Sequence, residues 1–90
     1  MSDFELEVRN KLKEIVGGLT TVDVSEINDN VDLIQDTGLN SIDMIQLIVI
    51  VEQRFEIEIP AEDMIISNFQ IYGKVVEYIL EKAKVKGGDV

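Results

Sequence analysis

Phe4, Val8, Leu12, Ile15, Val16 and Leu19 are spaced three or four residues apart, the rhythm of one apolar stripe on a helix. Ser2 followed by Glu5 has the spacing of a capping box, which would start that helix. Gly17 and Gly18 supply the left-handed conformation that commonly ends one. From Thr20 to Asn40 the rhythm breaks down. Asp, Asn, Ser and Thr dominate, with Val24, Ile27, Val31, Leu33 and Ile34 scattered among them. This predicts a long ordered loop, containing one short helical turn, that its apolar residues pin to a core. Loops of that length in small domains are more often functional than passive.

A second periodic segment starts at Ser41 and continues to about Phe55 without Gly or Pro. It is apolar at Ile42, Met44, Ile45, Leu47, Ile48, Val49, Ile50, Val51 and Phe55. Its β-branched residues would suit a buried strand, but strands average only about 5–6 residues, so the length argues for a helix. Asp43, Gln46, Gln53 and Arg54 mark a polar side, and Leu47 or Ile50 is expected close to it. Such a helix is apolar almost all round, so it is central and shows some apolar surface to a partner.

Glu56 to Pro60 alternates as a short extended segment, and Pro60 holds Ile59 extended. Ala61 to Ile66 is expected to form a short third helix, with Glu62 and Asp63 at its positive end. Ser67 or Asn68 would cap a fourth, whose apolar stripe is Ile71 or Tyr72, Val75, Val76, Ile79, Leu80 and Ala83. Lys82, Lys84 and Lys86 suit the negative end of that helix, and residues 87–90 are expected to fray. The fold class is therefore all-α: a small four-helix bundle of three main helices and one short one, with a long loop between the first two. Residues 1–86 form a single domain around Phe4, Leu12, Ile45, Ile48, Phe55, Val75 and Ile79. The alternative is an α+β domain in which the EIEIP segment pairs as a strand.

Ninety residues with 46% apolar and 29% charged content match one soluble globular domain. The longest unbroken apolar run, Leu47 to Val51, falls far short of the roughly 20 residues a membrane helix needs, so no membrane insertion is expected. The N-terminal MSDFELEVRNK has acids before bases and no apolar stretch. It does not read as a signal peptide, and a cytoplasmic location is expected.

The net charge is −10, and it is concentrated. Residues 22–40 hold five acids and no base, and residues 41–64 hold six acids and one Arg. A field of that sign repels nucleic acid and draws basic protein surfaces towards the region around Ser41.

The chain has no Cys and no His. That removes thiolate metal sites, Ser-His and Cys-His nucleophile pairs, and the HExxH zinc helix. No metal is expected, and no catalytic residue. Asn28, Asn30 and Asp32 alternate as in a calcium loop, but Leu33 stands where Gly is needed and Leu39 where the closing Glu belongs. Paired acids such as Glu56 with Glu58, or Glu62 with Asp63, lie in surface-like segments. TGLNS is not a nucleophile elbow. Ser41 has a structural explanation as a helix N-cap, a role Asn40 could also fill. It also has a functional one: a phosphate on its hydroxyl would sit at the positive end of a helix dipole, beside Gly38, where another protein can approach closely.

Asp36-Thr37-Gly38-Leu39-Asn40-Ser41-Ile42 resembles the D-x-G-x-D-S-L signature of acyl carrier proteins, whose serine carries 4′-phosphopantetheine. The resemblance continues through the helix after the serine, FEIEIP at residues 55–60 and NFQIYGKVVEYI at residues 68–79. It implies that the protein is a carrier and not an enzyme. A phosphopantetheinyl transferase would move the arm from coenzyme A to Ser41. The arm's thiol would hold acyl groups as thioesters and shuttle them between acyl-processing enzymes of fatty acid, polyketide or related biosynthesis. Asp36, Gly38, Leu39, Asn40 and Ile42 are the motif neighbours. Partners of this family dock on the helix after the serine through basic patches; the matching positions are Asp43, Gln46, Val49, Glu52 and Gln53, on a protein expected to be a monomer.

Asn40 departs from the signature's Asp and removes a charge that family partners read. Gln46, Gln53 and Arg54 also make the helix less acidic than in fatty-acid carriers, which points to a specialised pathway. The rival class is a small acidic interaction domain without a prosthetic group, in which Ser41 is only a cap.

Overall fold

The structure, a computed structural model, describes residues 3–87. Three helices carry it: α1 (Asp3–Leu19), α2 (Ser41–Arg54) and α3 (Tyr72–Gly87), with 3₁₀ turns at Val24–Glu26, Ala61–Asp63 and Ile66–Asn68. The expected all-α bundle is present. The EIEIP segment forms no strand, and the one β-bridge among the described residues joins Asp32 to Ile71.

Helix α1 buries Val8, Leu12, Ile15 and Val16, which fall on one side of a 3.6-residue period. Phe4 belongs to the same stripe in sequence, yet it is 47% exposed and not a core residue. It lines an open groove at the C-terminal end of α2, beside Phe55, Glu56 and Ala83, where no further element covers it. Phe55 is likewise only partly buried. Ser2 lies outside the described residues, and with it the expected capping box.

The glycine pair does not end α1. The helix runs through Gly17 and Gly18 to Leu19, and neither glycine has a positive φ. A Cβ on Gly17 would sit 2.7 Å from Cγ1 of Val24. Gly17 is thus small because the loop's first 3₁₀ turn presses on the helix there, not because the chain turns.

The loop is ordered as expected. Ile27, Leu33 and Leu39 are buried, and Asp23 caps the first 3₁₀ turn by accepting the Ser25 N–H at 2.9 Å. The backbone of Leu33 donates to Gln70 at 2.7 Å, and that of Tyr72 donates to Val31 at 2.9 Å. These two bonds explain a further correction. Phe69 is fully buried and Gln70 to Ile71 are held by the bridge, so α3 starts at Tyr72 and neither Ser67 nor Asn68 caps it. Both lie in or beside the preceding 3₁₀ turn, where the Asn68 side chain donates to the Asp63 carbonyl at 3.1 Å.

The expected third helix is two 3₁₀ turns interrupted at Met64, whose ψ is 58°. Six residues are too few to offset the cost of nucleating an α-helix. Helix α3 buries Tyr72, Val75, Val76 and Ile79, and packs Leu80 and Ala83 against the core. It continues through Gly87, and residues 88–90 lie outside the described residues.

In α2 the buried positions are Met44, Leu47, Ile48 and Val51. This helix packs against α1 and against the 3₁₀ turn at residues 66–68, which cover one stripe only. Ile45 therefore faces solvent and does not belong to the core. Leu47, expected near the polar side, is fully buried, and Ile50 is half-buried. Helix α2 ends in a left-handed residue, Glu56 (φ 52°). The Ile57 N–H bonds the Glu52 carbonyl at 3.2 Å and the Glu56 N–H bonds the Gln53 carbonyl at 3.4 Å, the paired bonds of a Schellman motif.

Candidate functional site

The loop delivers the chain to the start of α2 through a series of anchors. Asp32 organises them. Its carboxylate accepts the N–H groups of Ile34 and Gln35 at 2.9 Å each and the Gln70 side-chain amide at 2.7 Å. The Gln35 N–H foremost, then Gln70 and Ile34, hold that carboxyl below its usual range. Asp36 returns the clamp by accepting the Asp32 N–H at 2.8 Å. Thr37 is buried; its hydroxyl donates to the Leu33 carbonyl and its own carbonyl accepts the Thr20 hydroxyl at 2.8 Å.

Gly38 follows with φ 78°, in the left-handed region that suits glycine. A Cβ there would meet nothing within 4 Å, so backbone conformation, not space, calls for glycine. The turn drives Leu39 into the core, where its N–H bonds the Leu33 carbonyl at 3.2 Å.

The next two residues divide the work the sequence left open between them. Asn40 is the N-cap. Its side chain accepts the Asp43 N–H at 2.8 Å while the Asp43 carboxylate accepts the Asn40 N–H at 3.1 Å, a complete capping box. Ser41 is the first helical residue. Its side chain is exposed, and its hydroxyl makes no hydrogen bond among the described residues. It stands at the positive end of a 14-residue helix. The chain supplies it no imidazole or thiol, and no group of three metal-binding side chains occurs among the described residues. The geometry offers a hydroxyl for another molecule to use and no local machinery to use it.

Of the positions matched to partner docking, Gln46, Val49 and Gln53 are exposed on α2. Asp43 and Glu52 are half-buried with their carboxylates engaged, Asp43 in the capping box and Glu52 accepting the Ile59 N–H at 2.9 Å. Sequence reasoning missed two features of the site. Asp32 was weighed only as a position of a failed calcium-loop pattern, although Asp in a polar loop also signals an Asx turn. Ile45 was placed in the core, although Ile42, Ile45, Gln46, Val49 and Gln53 share one helical face.

Residues 10–79 match the family described as the phosphopantetheine attachment site, and that span includes Ser41 and all its anchors. The acyl carrier protein of Clostridium perfringens strain 13 is 42% identical over 72 residues, 80% of this chain and 92% of that protein. The chain belongs to the acyl carrier protein family. The acyl carrier protein of Buchnera aphidicola subsp. Schizaphis graminum is 31% identical over 77 residues, covering 86% and 95% of the two chains. Among solved structures, an acyl carrier protein from Enterococcus faecalis superposes with a TM-score of 0.73 at 23% identity, covering 87% of this chain and 96% of that one. An apo doublet acyl carrier protein from prodigiosin biosynthesis gives 0.74 at 20% identity, covering 91% and 38%. These two show the shared fold.

An acyl carrier protein is a carrier and not an enzyme, and its cofactor is phosphopantetheine. The residues here fit that group: a serine hydroxyl exposed at a helix N-terminus, relieved of capping by Asn40, and approached over an open Gly38. No helix among the described residues is long and apolar enough to cross a membrane.

Proposed function

We propose that Ser41 is the covalent attachment point of 4′-phosphopantetheine and that the protein works as a monomeric, cytoplasmic shuttle for acyl intermediates of fatty acid, polyketide or related biosynthesis. The observation that carries this is the division of labour at the start of α2. Asn40 does the capping, which leaves the Ser41 hydroxyl exposed and without an internal hydrogen bond.

The chain's own contribution is to hold and present. Asp32, Asp36, Thr37 and Leu39 fix the loop, Gly38 turns it, and the positive end of α2 would favour a phosphate carried on Ser41. When bound, the arm supplies a terminal thiol that carries the acyl group as a thioester. Activating the Ser41 hydroxyl falls to the phosphopantetheinyl transferase, because this chain has no His to take its proton. Partners reach Ser41 along α2 over Asp43, Gln46, Val49, Glu52 and Gln53. Residues 1–86 are the working unit.

Intact-mass measurement after incubation with coenzyme A and a broad-specificity phosphopantetheinyl transferase tests the assignment. The expected result is a gain of one phosphopantetheinyl group that Ser41→Ala abolishes. No gain, or a gain that persists in Ser41→Ala, refutes it.

A further inference from the structure

We infer that Gln70 is a positioning residue for Ser41, its side-chain amide anchoring the loop that leads to the serine. This rests on Ser41 being the attachment point.

Residues 32–39 form a knot closed largely on itself. Asp32 Oδ1 accepts the Ile34 and Gln35 N–H groups at 2.9 Å each, and Asp36 Oδ2 accepts the Asp32 N–H at 2.8 Å. The Asp36 N–H bonds the Asp32 carbonyl at 2.8 Å, and the Gly38 N–H bonds the Ile34 carbonyl at 3.1 Å. Among the described residues, Thr20 and Gln70 supply the knot's hydrogen bonds to the rest of the fold. The Thr20 hydroxyl donates to the Thr37 carbonyl at 2.8 Å. Gln70 accepts the Leu33 N–H on its backbone carbonyl at 2.7 Å and donates its side-chain amide to Asp32 Oδ2 at 2.7 Å.

Of the two bonds from Gln70, only the second depends on which residue stands there. The Leu33 bond uses a backbone carbonyl that every amino acid has. The side-chain bond needs an N–H donor, and its acceptor is a carboxylate, which makes it one of the stronger kind. Asp32 thus spends Oδ1 on the knot and Oδ2 on Gln70, and one carboxylate joins the local turn to a residue 38 positions further along the chain.

Ser41 inherits the position of this knot. Leu39, its last residue, is buried, and Asn40 follows as the N-cap, so only the cap separates the anchored residues from the hydroxyl. An enzyme that transfers a group to that hydroxyl needs it closely placed, since a misplacement of about 1 Å costs about a hundredfold in rate. When the knot loosens, the fraction of chains that present Ser41 correctly falls, and the apparent affinity of the transferase falls with it. The loss therefore appears in KM, while kcat, set in the assembled complex, is kept.

The test is steady-state transfer from coenzyme A to the full chain by a broad-specificity phosphopantetheinyl transferase, read by intact mass. Gln70→Glu removes the donor and sets two carboxylates against each other. It is expected to raise KM about tenfold with kcat within about twofold of the parent. Adding Asp32→Asn reverses the polarity of this one bond. An amide at position 32 keeps an oxygen for the Ile34 and Gln35 N–H groups and donates from its nitrogen to the new carboxylate. The double variant is expected to return to within about twofold of the parent. Gln70→Met deletes the donor without adding charge, which keeps the test open if Gln70→Glu does not fold, and is expected to raise KM about threefold. Tyr78→Phe is the control. It deletes a 2.8 Å bond to a different carboxylate, Asp63, outside the knot, and should leave KM within about twofold. Hydrogen exchange at the Gly38 and Leu39 amides should quicken about tenfold in Gln70→Glu and not in Tyr78→Phe. Gln70 variants whose KM stays within about twofold of the parent overturn the inference, as does a double variant no better than Gln70→Glu, or an equal loss in Tyr78→Phe. A parent chain that takes up no group even after prolonged incubation refutes the Ser41 assignment and this inference together. A parent modified at Ser41, with the Gln70 variants unaffected, refutes the inference alone.

Discussion

Replacing Asn40 by Ala should cost stability, and replacing Ser41 by Ala should not. The Asn40 side chain accepts one N–H of the first turn of α2 at 2.8 Å, and its backbone N–H is held by Asp43 at 3.1 Å. The first bond disappears in Asn40→Ala and the second loses the partner that fixes its geometry. The box is exposed, so surface values apply, and loss of an N-cap of this kind costs about 1 kcal/mol. For a domain of this size that corresponds to a fall in Tm of about 4–8 °C, or about 1 M in the urea midpoint if the slope is about 1 kcal/mol/M. Asn40→Asp keeps the acceptor and adds a negative charge at the positive helix end, so it should match or exceed the parent at low salt. Ser41 has no capping bond to lose. Ala is also the better helix former, so Ser41→Ala should change stability by about 0.5 kcal/mol or less, in the stabilising direction. Urea melts of the apo protein followed by circular dichroism at 222 nm would measure all three. If Ser41→Ala loses 1 kcal/mol and Asn40→Ala loses nothing, the serine is the cap and the case for its availability collapses.

Gly18→Ala should raise stability by about 0.5–1 kcal/mol, because Gly18 is helical and a Cβ there meets nothing within 4 Å. Gly73→Ala should lower it by about 1–3 kcal/mol, because the new Cβ would lie 2.8 Å from the backbone oxygen of Asp29. Thermal melts that rank these two alanines the other way would contradict the packing of the loop against α3. Glu56→Gly should stabilise by about 1 kcal/mol by relieving a left-handed conformation at φ 52°; a drop in the urea midpoint would show that Glu56 contributes more through its interactions than its backbone costs. Burial pushes the Tyr72 hydroxyl up to about 12 from 10.0. A raised folded pKa means its contribution is complete below pH 10 and lost as pH rises towards 12, so stability should decline across that window. Tyr72→Phe, which loses the 3.0 Å bond to the Arg9 carbonyl, should be about 1 kcal/mol weaker at pH 7 and decline less steeply. A parent chain equally stable at pH 9 and pH 12 would contradict this.

Much of the fold could be read from local pattern. The span of α2 followed from the length of an apolar run without Gly or Pro, and the buried stripe of α3 from 3.6-residue periodicity, because burial on one face of a helix leaves that signature in the sequence. The anchoring of the loop by Ile27 and Leu33 followed from apolar residues with no other reason to be there. Where reading failed, a residue had two physical uses and only its neighbours chose between them. Gly17 could end a helix or admit a side chain, and Val24 made it the second. Ser67 and Asn68 could cap a helix, but the bridge between Asp32 and Ile71 delays the start of α3 to Tyr72. Ile45 and Leu47 were equivalent by hydropathy, and packing on α1 buried one and left the other exposed.

By itself, then, the sequence determined the helical class, the motif around Ser41, the absence of imidazole and thiol chemistry, and the concentration of acid between residues 22 and 64. All of these are properties of residue identity and local spacing. Only the tertiary structure decided that Asn40 caps and Ser41 does not, that Asp43 and Glu52 spend their carboxylates on backbone N–H groups, and that Ile42, Ile45 and Val49 face water. Those outcomes depend on which elements pack against which. A helix that is apolar on every side carries no mark of the side its neighbours leave uncovered.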